Sequence, residues 1–228
     1  MVYQCQMVQP IGRRVATAAG ILALALTGAT LTPAAADSGS VDDLSDAAWY
    51  ALADEAADEV EATDWAAVSA AEGCTLVDVS VTEVVDPEAN AAAGAPEDLA
   101  VPVVEREEIC PTSTTTLRTA VSAGSDCSTT SGPGTLCISR SGSYVSTSFQ
   151  YNGSGTISAF LKLYKISTSA SGCPTGTALA TGSEQSYSNG TRRSLSVYAP
   201  SYGGYSSHIW KYVGLGVYTD WGSACGNL

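Results

Sequence analysis

Charge divides this chain at one point, between Cys110 and Pro111. From residue 37 to 110 there are 20 acidic residues and one basic residue, Arg106; from 111 to 228 there are three acids, Asp126, Glu184 and Asp220, against seven bases. Composition changes at the same place. Of the 118 residues from Pro111 onward, 40 are Ser or Thr and 16 are Gly, and nine of the eleven tyrosines lie there. A stretch this rich in small hydroxyl residues, glycine and tyrosine predicts short strands joined by many turns. Residues 111–228 are therefore read as a β domain, and 37–110 as a separate acidic unit.

Alternation within the second part argues for strands rather than a low-complexity tail. In Tyr144–Tyr151, Val145, Thr147, Phe149 and Tyr151 fall on one face. In 156–166, Ile157, Ala159, Leu161 and Leu163 fall on one face and Phe160, Tyr164 and Ile166 on the other. Asn152-Gly153-Ser154-Gly155 between them reads as a hairpin turn. Further strands are expected at 135–140, 177–181, 191–199, 207–213 and 215–221. About seven strands at this spacing predict an antiparallel β-sandwich. In the acidic unit the spacing predicts a helix over about 42–61, with Ser40 and Asp43 at capping-box spacing, and a weaker helix over 63–71. Cys74–Val85 alternates as a strand, stopped by Asp86-Pro87. Residues 88–96 read as a loop. Leu99–Val104 reads as an edge strand, because Pro102 cannot donate to a central ladder.

Residues 1–36 have the form of a bacterial-type export signal. Arg13 and Arg14 precede an apolar run from Val15 to Leu31, and Ala34-Ala35-Ala36 is a small-residue cleavage site. Such a run is marginal for a membrane span, which needs roughly 17–25 residues. The expectation is a secreted, extracellular protein with no membrane association after cleavage. Of seven cysteines, Cys5 lies in the signal. The other six are Cys74, Cys110, Cys127, Cys137, Cys173 and Cys225, an even set that reads as disulfides in an exported chain. Six cysteines allow fifteen pairings; the nearest-in-sequence set, 74–110, 127–137 and 173–225, is preferred. Zinc is disfavoured, because no Cys-x-x-Cys pair occurs and His208 is the only histidine.

No catalytic constellation stands out. His208 matches no hydrolase signature, and Asp126, Glu184 and Asp220 are the only carboxylates of the β domain. No calcium loop, phosphate-binding glycine loop or nucleic-acid motif is present, so neither a cofactor nor a metal is expected. Arg192-Arg193 is read as a solvated turn or strand edge rather than an anion site. The stretch 205–221 is the most informative. If extended, it places Ile209, Val213, Leu215, Val217 and Trp221 on a core face, and His208, Trp210, Tyr212, Tyr218 and Asp220 on the opposite face. Tyr198, Tyr202 and Tyr205 form a second tyrosine-rich loop upstream. Grouped aromatics of this kind often mark an interaction surface; the alternative is that this face packs against the second sheet or the acidic unit, with Gly214 and Gly216 only allowing a bulge or bend.

Two functions follow as expectations. One is a non-catalytic binding protein for an extracellular or cell-wall polysaccharide, using Trp210, Tyr212, Tyr218, Tyr202 and Tyr205. The other is a proprotein, in which the acidic leader masks a β domain that acts as a toxin, antimicrobial or inhibitor. A cut just after Cys110 leaves two cysteines in the leader and four in the domain, both even.

Overall fold

The computed structural model describes residues 44–111 and 125–228. The expected export signal and the Ser40–Asp43 capping box lie outside the described residues. Helix α1 spans Asp46–Ala62 and α2 spans Trp65–Ala71. Ser45 starts α1, its hydroxyl accepting the Ala48 N–H at 3.3 Å, and Asp64 starts α2 by accepting the Ala67 N–H at 3.0 Å. The thin apolar stripe of α1 (Trp49, Ala53, Ala56) is buried against Leu99 and Tyr198. A stripe made mostly of alanine gives little burial free energy alone, so the helix depends on this packing.

Strand β1 (Thr75–Val85) runs antiparallel to β2 (Ala100–Ile109). The intervening stretch, read from sequence as a loop, contains helix α3, Pro87–Ala93. Its ends are both legible in hindsight. Asp86 accepts the N–H groups of Glu88 and Ala89 at 3.0 and 3.1 Å. Pro87 occupies the first turn, and Gly94 closes the helix at φ +76°. Asp-Pro is thus a helix start as well as a strand stop.

Four strands of the β region complete the first sheet: β3 (Ser125–Thr129), β4 (Gly134–Ser141), β5 (Tyr144–Tyr151) and β9 (Thr191–Tyr198). Its order is β1-β2-β9-β5-β4-β3. The second sheet contains β6 (Ile157–Ile166), β7 (Thr177–Thr181), β10 (Gly204–Gly214) and β11 (Val217–Asn227), in the order β11-β10-β6-β7. A short β8 (Gln185–Tyr187) pairs with the start of β6. All pairings are antiparallel. The two sheets form a sandwich whose core joins Leu136, Val145 and Phe149 of one layer to Leu161, Leu163 and Ile209 of the other. Each such side chain contributes about 1.5–3 kcal/mol on burial.

Two local expectations are corrected. The Asn152–Gly155 turn does not close a hairpin. β5 and β6 belong to different sheets, and the turn carries the chain from one layer to the other, with Gly155 at φ +83°. Their alternating faces meet across the core instead of lying side by side. β2 is not an edge strand either, since β1 and β9 flank it. Pairing with β9 begins at Val103, so Pro102 lies in the ladder with β1, opposite Glu83, but just outside the one with β9.

The cysteines pair as 74–110, 127–137 and 173–225. Cys127 and Cys137 are directly opposed on β3 and β4, and Cys173–Cys225 ties the loop before β7 to the last strand. No disulfide joins residues 44–110 to residues 125–228. The break in composition at residue 110 is nevertheless not a break in the sheet, because β2 of the acidic region pairs with β9 of the β region.

This pairing also corrects the reading of Arg192-Arg193. Neither residue is at a solvated edge. Arg192 is 15 % exposed and Arg193 16 % exposed on a central strand. Arg192 Nε donates to Glu108 at 2.6 Å, and its Nη2 also pairs with Glu72. Arg193 pairs with Glu107 at 2.8 Å. Arg106, the one base of the acidic region, reaches the same Glu108 at 3.0 Å. The Ser69 hydroxyl donates to it at 2.5 Å. Glu108 has no solvent exposure. Burial by itself raises its pKa. Hydrogen bonds from Arg192 and Ser69, with the charges of Arg192 and Arg106, more than reverse this and hold the carboxyl below its ordinary range.

Candidate binding face

The outer face of the second sheet carries the aromatic cluster. Alternation on β6 sends Ala159, Leu161 and Leu163 into the core, which leaves Phe160, Lys162 and Tyr164 outside. On β10, Tyr205 and Ile209 point inward, so His208, Trp210 and Tyr212 share the outer face. β11 adds Tyr218 and Asp220, opposite Tyr212 and Trp210. Three of the residues expected to bind ligand, Trp210, Tyr212 and Tyr218, are therefore brought together as the sequence pattern requires.

Their rings fall into two neighbouring groups, with Trp210 opposite Phe160 in the β10–β6 ladder. Phe160 and Tyr218 meet edge to face at 5.0 Å, and Tyr212 lies 5.4 Å from Tyr218. Trp210 stacks on His208 at 6.1 Å with 22° between planes, and Tyr164 meets His208 edge to face at 5.3 Å. Polar groups fix the rim. Glu184, just before β8, accepts from Ser158 Oγ at 2.5 Å and from the Tyr218 hydroxyl. These two hydrogen bonds lower the Glu184 pKa. The same bond to Glu184 raises that of Tyr218. Glu184 and Phe160 were not among the expected contacts. Phe160 was legible from the β6 alternation, but Glu184 is 34 residues from Tyr218 and only the pairing of β8 with β6 brings it near.

His208 is buried at 3 % exposure, and its Nδ1 lies 2.8 Å from Asp220 Oδ2. Asp220 also accepts the Gly222 N–H at 3.1 Å. Among the described residues, Nε2 of His208 has no hydrogen-bond partner. The pair supplies two of the three parts of a nucleophilic triad, and no described hydroxyl bonds to Nε2. The contact with Asp220 fixes one edge of the imidazole, which stacks with the Trp210 ring. No group of three or more metal-ligating side chains exists among the described residues.

Two of the expected contacts lie elsewhere. Tyr205 is a core residue with no exposure; its hydroxyl accepts from Lys165 Nζ at 3.0 Å and donates to the Ser201 carbonyl. It cannot present a ring to a ligand, because its position on β10 has the parity of Ile209. Tyr202 is 80 % exposed, but it precedes β10 and stacks under Arg140 at 4.3 Å. β10 begins at Gly204, and the strand from there to Trp210 is roughly 20 Å long at about 3.3 Å per residue, so Tyr202 lies beyond the opposite end of it.

The expected core face of 205–221 also divides. Ile209 enters the core, and Trp221, partly buried, packs against it beside Phe149 at 6.0 Å. Val213, Leu215 and Val217 do not; they are 57, 101 and 55 % exposed. Pairing of β10 with β6 stops at Lys211, so the β10–β11 hairpin projects beyond the sheet as a two-stranded finger. Gly214, Leu215 and Gly216 form its tip, all at positive φ, with Leu215 at +54°. A fully exposed leucine in the left-handed region is unusual. It extends the apolar surface outward from Tyr212 and Tyr218. No protein-family model, curated protein or solved structure matches this chain.

Proposed function

We propose that this protein is a secreted, non-catalytic binding protein for an extracellular or cell-wall polysaccharide, and that Trp210, Tyr212, Tyr218 and Phe160 form its contact surface. The observation that carries the reading is the pair of adjacent ring groups on the outer face of the second sheet, Phe160 with Tyr212 and Tyr218, and Trp210 with His208 and Tyr164. Sugar rings present C–H faces that stack on aromatic side chains, and the ring hydroxyls need nearby donors and acceptors. Glu184, Asp220 and Lys162 supply these around the rings. Three disulfides suit an oxidising compartment, and no described helix is long and apolar enough to cross a membrane. Retention on insoluble cellulose, chitin and cell-wall material tests the proposal. Wild-type protein is retained on at least one of them, and Trp210→Ala is not. No retention on any of the three, or retention unchanged in the variant, overturns it.

A second reading, a proprotein with an acidic leader, is favoured by one observation. Every disulfide closes within residues 44–110 or within residues 125–228, so a cut between these parts leaves no covalent bridge. Intact-mass measurement on culture supernatant decides: a single species beginning at Asp37 removes the reading.

A further inference from the structure

The contact between the acidic region and the β body is built like a peptide complex. β2 lies along β9 in unbroken antiparallel register from Val103–Val197 to Ile109–Thr191. Within it two adjacent acids meet two adjacent bases: Glu107 is opposite Arg193 and Glu108 is opposite Arg192. Successive strand residues point to opposite faces, so one ion pair forms on each side of the sheet, at 2.8 and 2.6 Å. Glu105 adds a contact to β7–β8, accepting the Ser183 N–H and hydroxyl at 3.0 and 2.9 Å. Upstream, Val103 enters the main core. Main-chain pairing supplies affinity and alternate side chains supply selectivity, which is the logic of strand addition.

On the body side, β9 has β5 as its other neighbour. Without β2, it would be an open edge carrying Arg192 on one face and Arg193 on the other. From these observations we propose that the β9 edge is an acceptor site for extended acidic peptides, and that β2 is its resident internal ligand. The favoured peptide has an apolar residue for the core position and, four and five residues later, two adjacent acids for the arginines. This is the spacing of Val103, Glu107 and Glu108. The site builds on the proprotein reading, which supplies the natural means of clearing the edge, but peptide acceptance and leader removal are separate measurements.

Glu72, at the end of α2, pairs with Arg192 and lies 3.7 Å from Arg106 while 38 % exposed. Glu72→Lys in the full chain loosens the docked region without altering β2 or β9. The probe is a fluorescent peptide with the sequence of residues 99–109. Hydrogen exchange of Glu72→Lys rises about tenfold over residues 44–110 while β4, β6 and β10 stay protected, and the variant binds the peptide about tenfold more tightly than wild type. A peptide with lysine in place of both Glu107 and Glu108 does not bind. Equal binding of that control peptide overturns the proposal. So does failure to bind once residues 44–110 have opened, unchanged protection of 44–110, or loss of protection across both parts together. An intact-mass result that removes the proprotein reading leaves the peptide result standing.

Discussion

At the scale of single residues, two positions are held in conditions that a free chain would avoid. Leu215 sits at φ +54° with its side chain wholly in solvent. The left-handed region costs an L residue with a Cβ roughly 1–2 kcal/mol, and Asn tolerates it better. Leu215→Asn should therefore raise stability by about 0.5–1 kcal/mol in a urea titration. Glu108 is the opposite case, fully buried but held by Arg106, Arg192 and Ser69. Removing one partner of a buried ionic cluster strands the rest, so Glu108→Gln should destabilise the protein by about 3 kcal/mol in the same titration. Neither feature was legible from the residue types. A leucine between glycines reads as core by alternation, and a glutamate among glutamates reads as solvated.

At the scale of elements, the β10–β11 hairpin carries most of the candidate face, and β4, β5 and β6 hold the hairpin. Gly132 lies against the Trp221 ring so closely that an added Cβ would stand 1.8 Å from Cζ2. Gly132→Ala must displace that indole from its packing on Phe149 and Tyr151. Overpacking of this sort costs about 1–3 kcal/mol, which thermal denaturation would read as a lowered Tm. Trp210→Ala acts differently. Trp210 is only half-buried on the outer face, so the variant should fold with a Tm near that of wild type while losing retention on polysaccharide. Comparing the two separates damage to the scaffold from damage to the binding face. The strands themselves were legible, because period-two alternation survives in a single sequence. Their partners were not. The Asn152–Gly155 turn joins two alternating runs as a hairpin would, yet the runs pair in different sheets.

At the scale of the whole molecule, the acidic and β regions are joined by strand pairing, apolar packing and charge, with no disulfide between them. The sign of the pH dependence follows from Glu108. Its pKa is lowered in the folded protein, so its contribution to stability is complete above the ordinary carboxylate range and is lost as pH falls through the lowered value. Acidification should release the acidic region, and fluorescence of Trp49 and Trp65, which lie within it, should report the transition. Glu108→Gln should flatten that acid dependence.

What the sequence by itself determined was local: which segments alternate, where composition changes and which cysteines are near enough in the chain to pair. The sandwich class and the grouping of Trp210, Tyr212 and Tyr218 follow from short-range pattern, whereas the nearest-in-sequence disulfide set is one preference among the fifteen pairings that six cysteines allow. Tertiary structure alone decided which strands are neighbours, and from that everything at long range. It turned Arg192-Arg193 from an apparent solvated pair into the anchor of the acidic region, buried Tyr205 and left Val213, Leu215 and Val217 in water. The physical reason is that alternation records two faces of a strand but not what covers each face. Coverage depends on pairings such as β2 with β9, which join residues more than eighty positions apart.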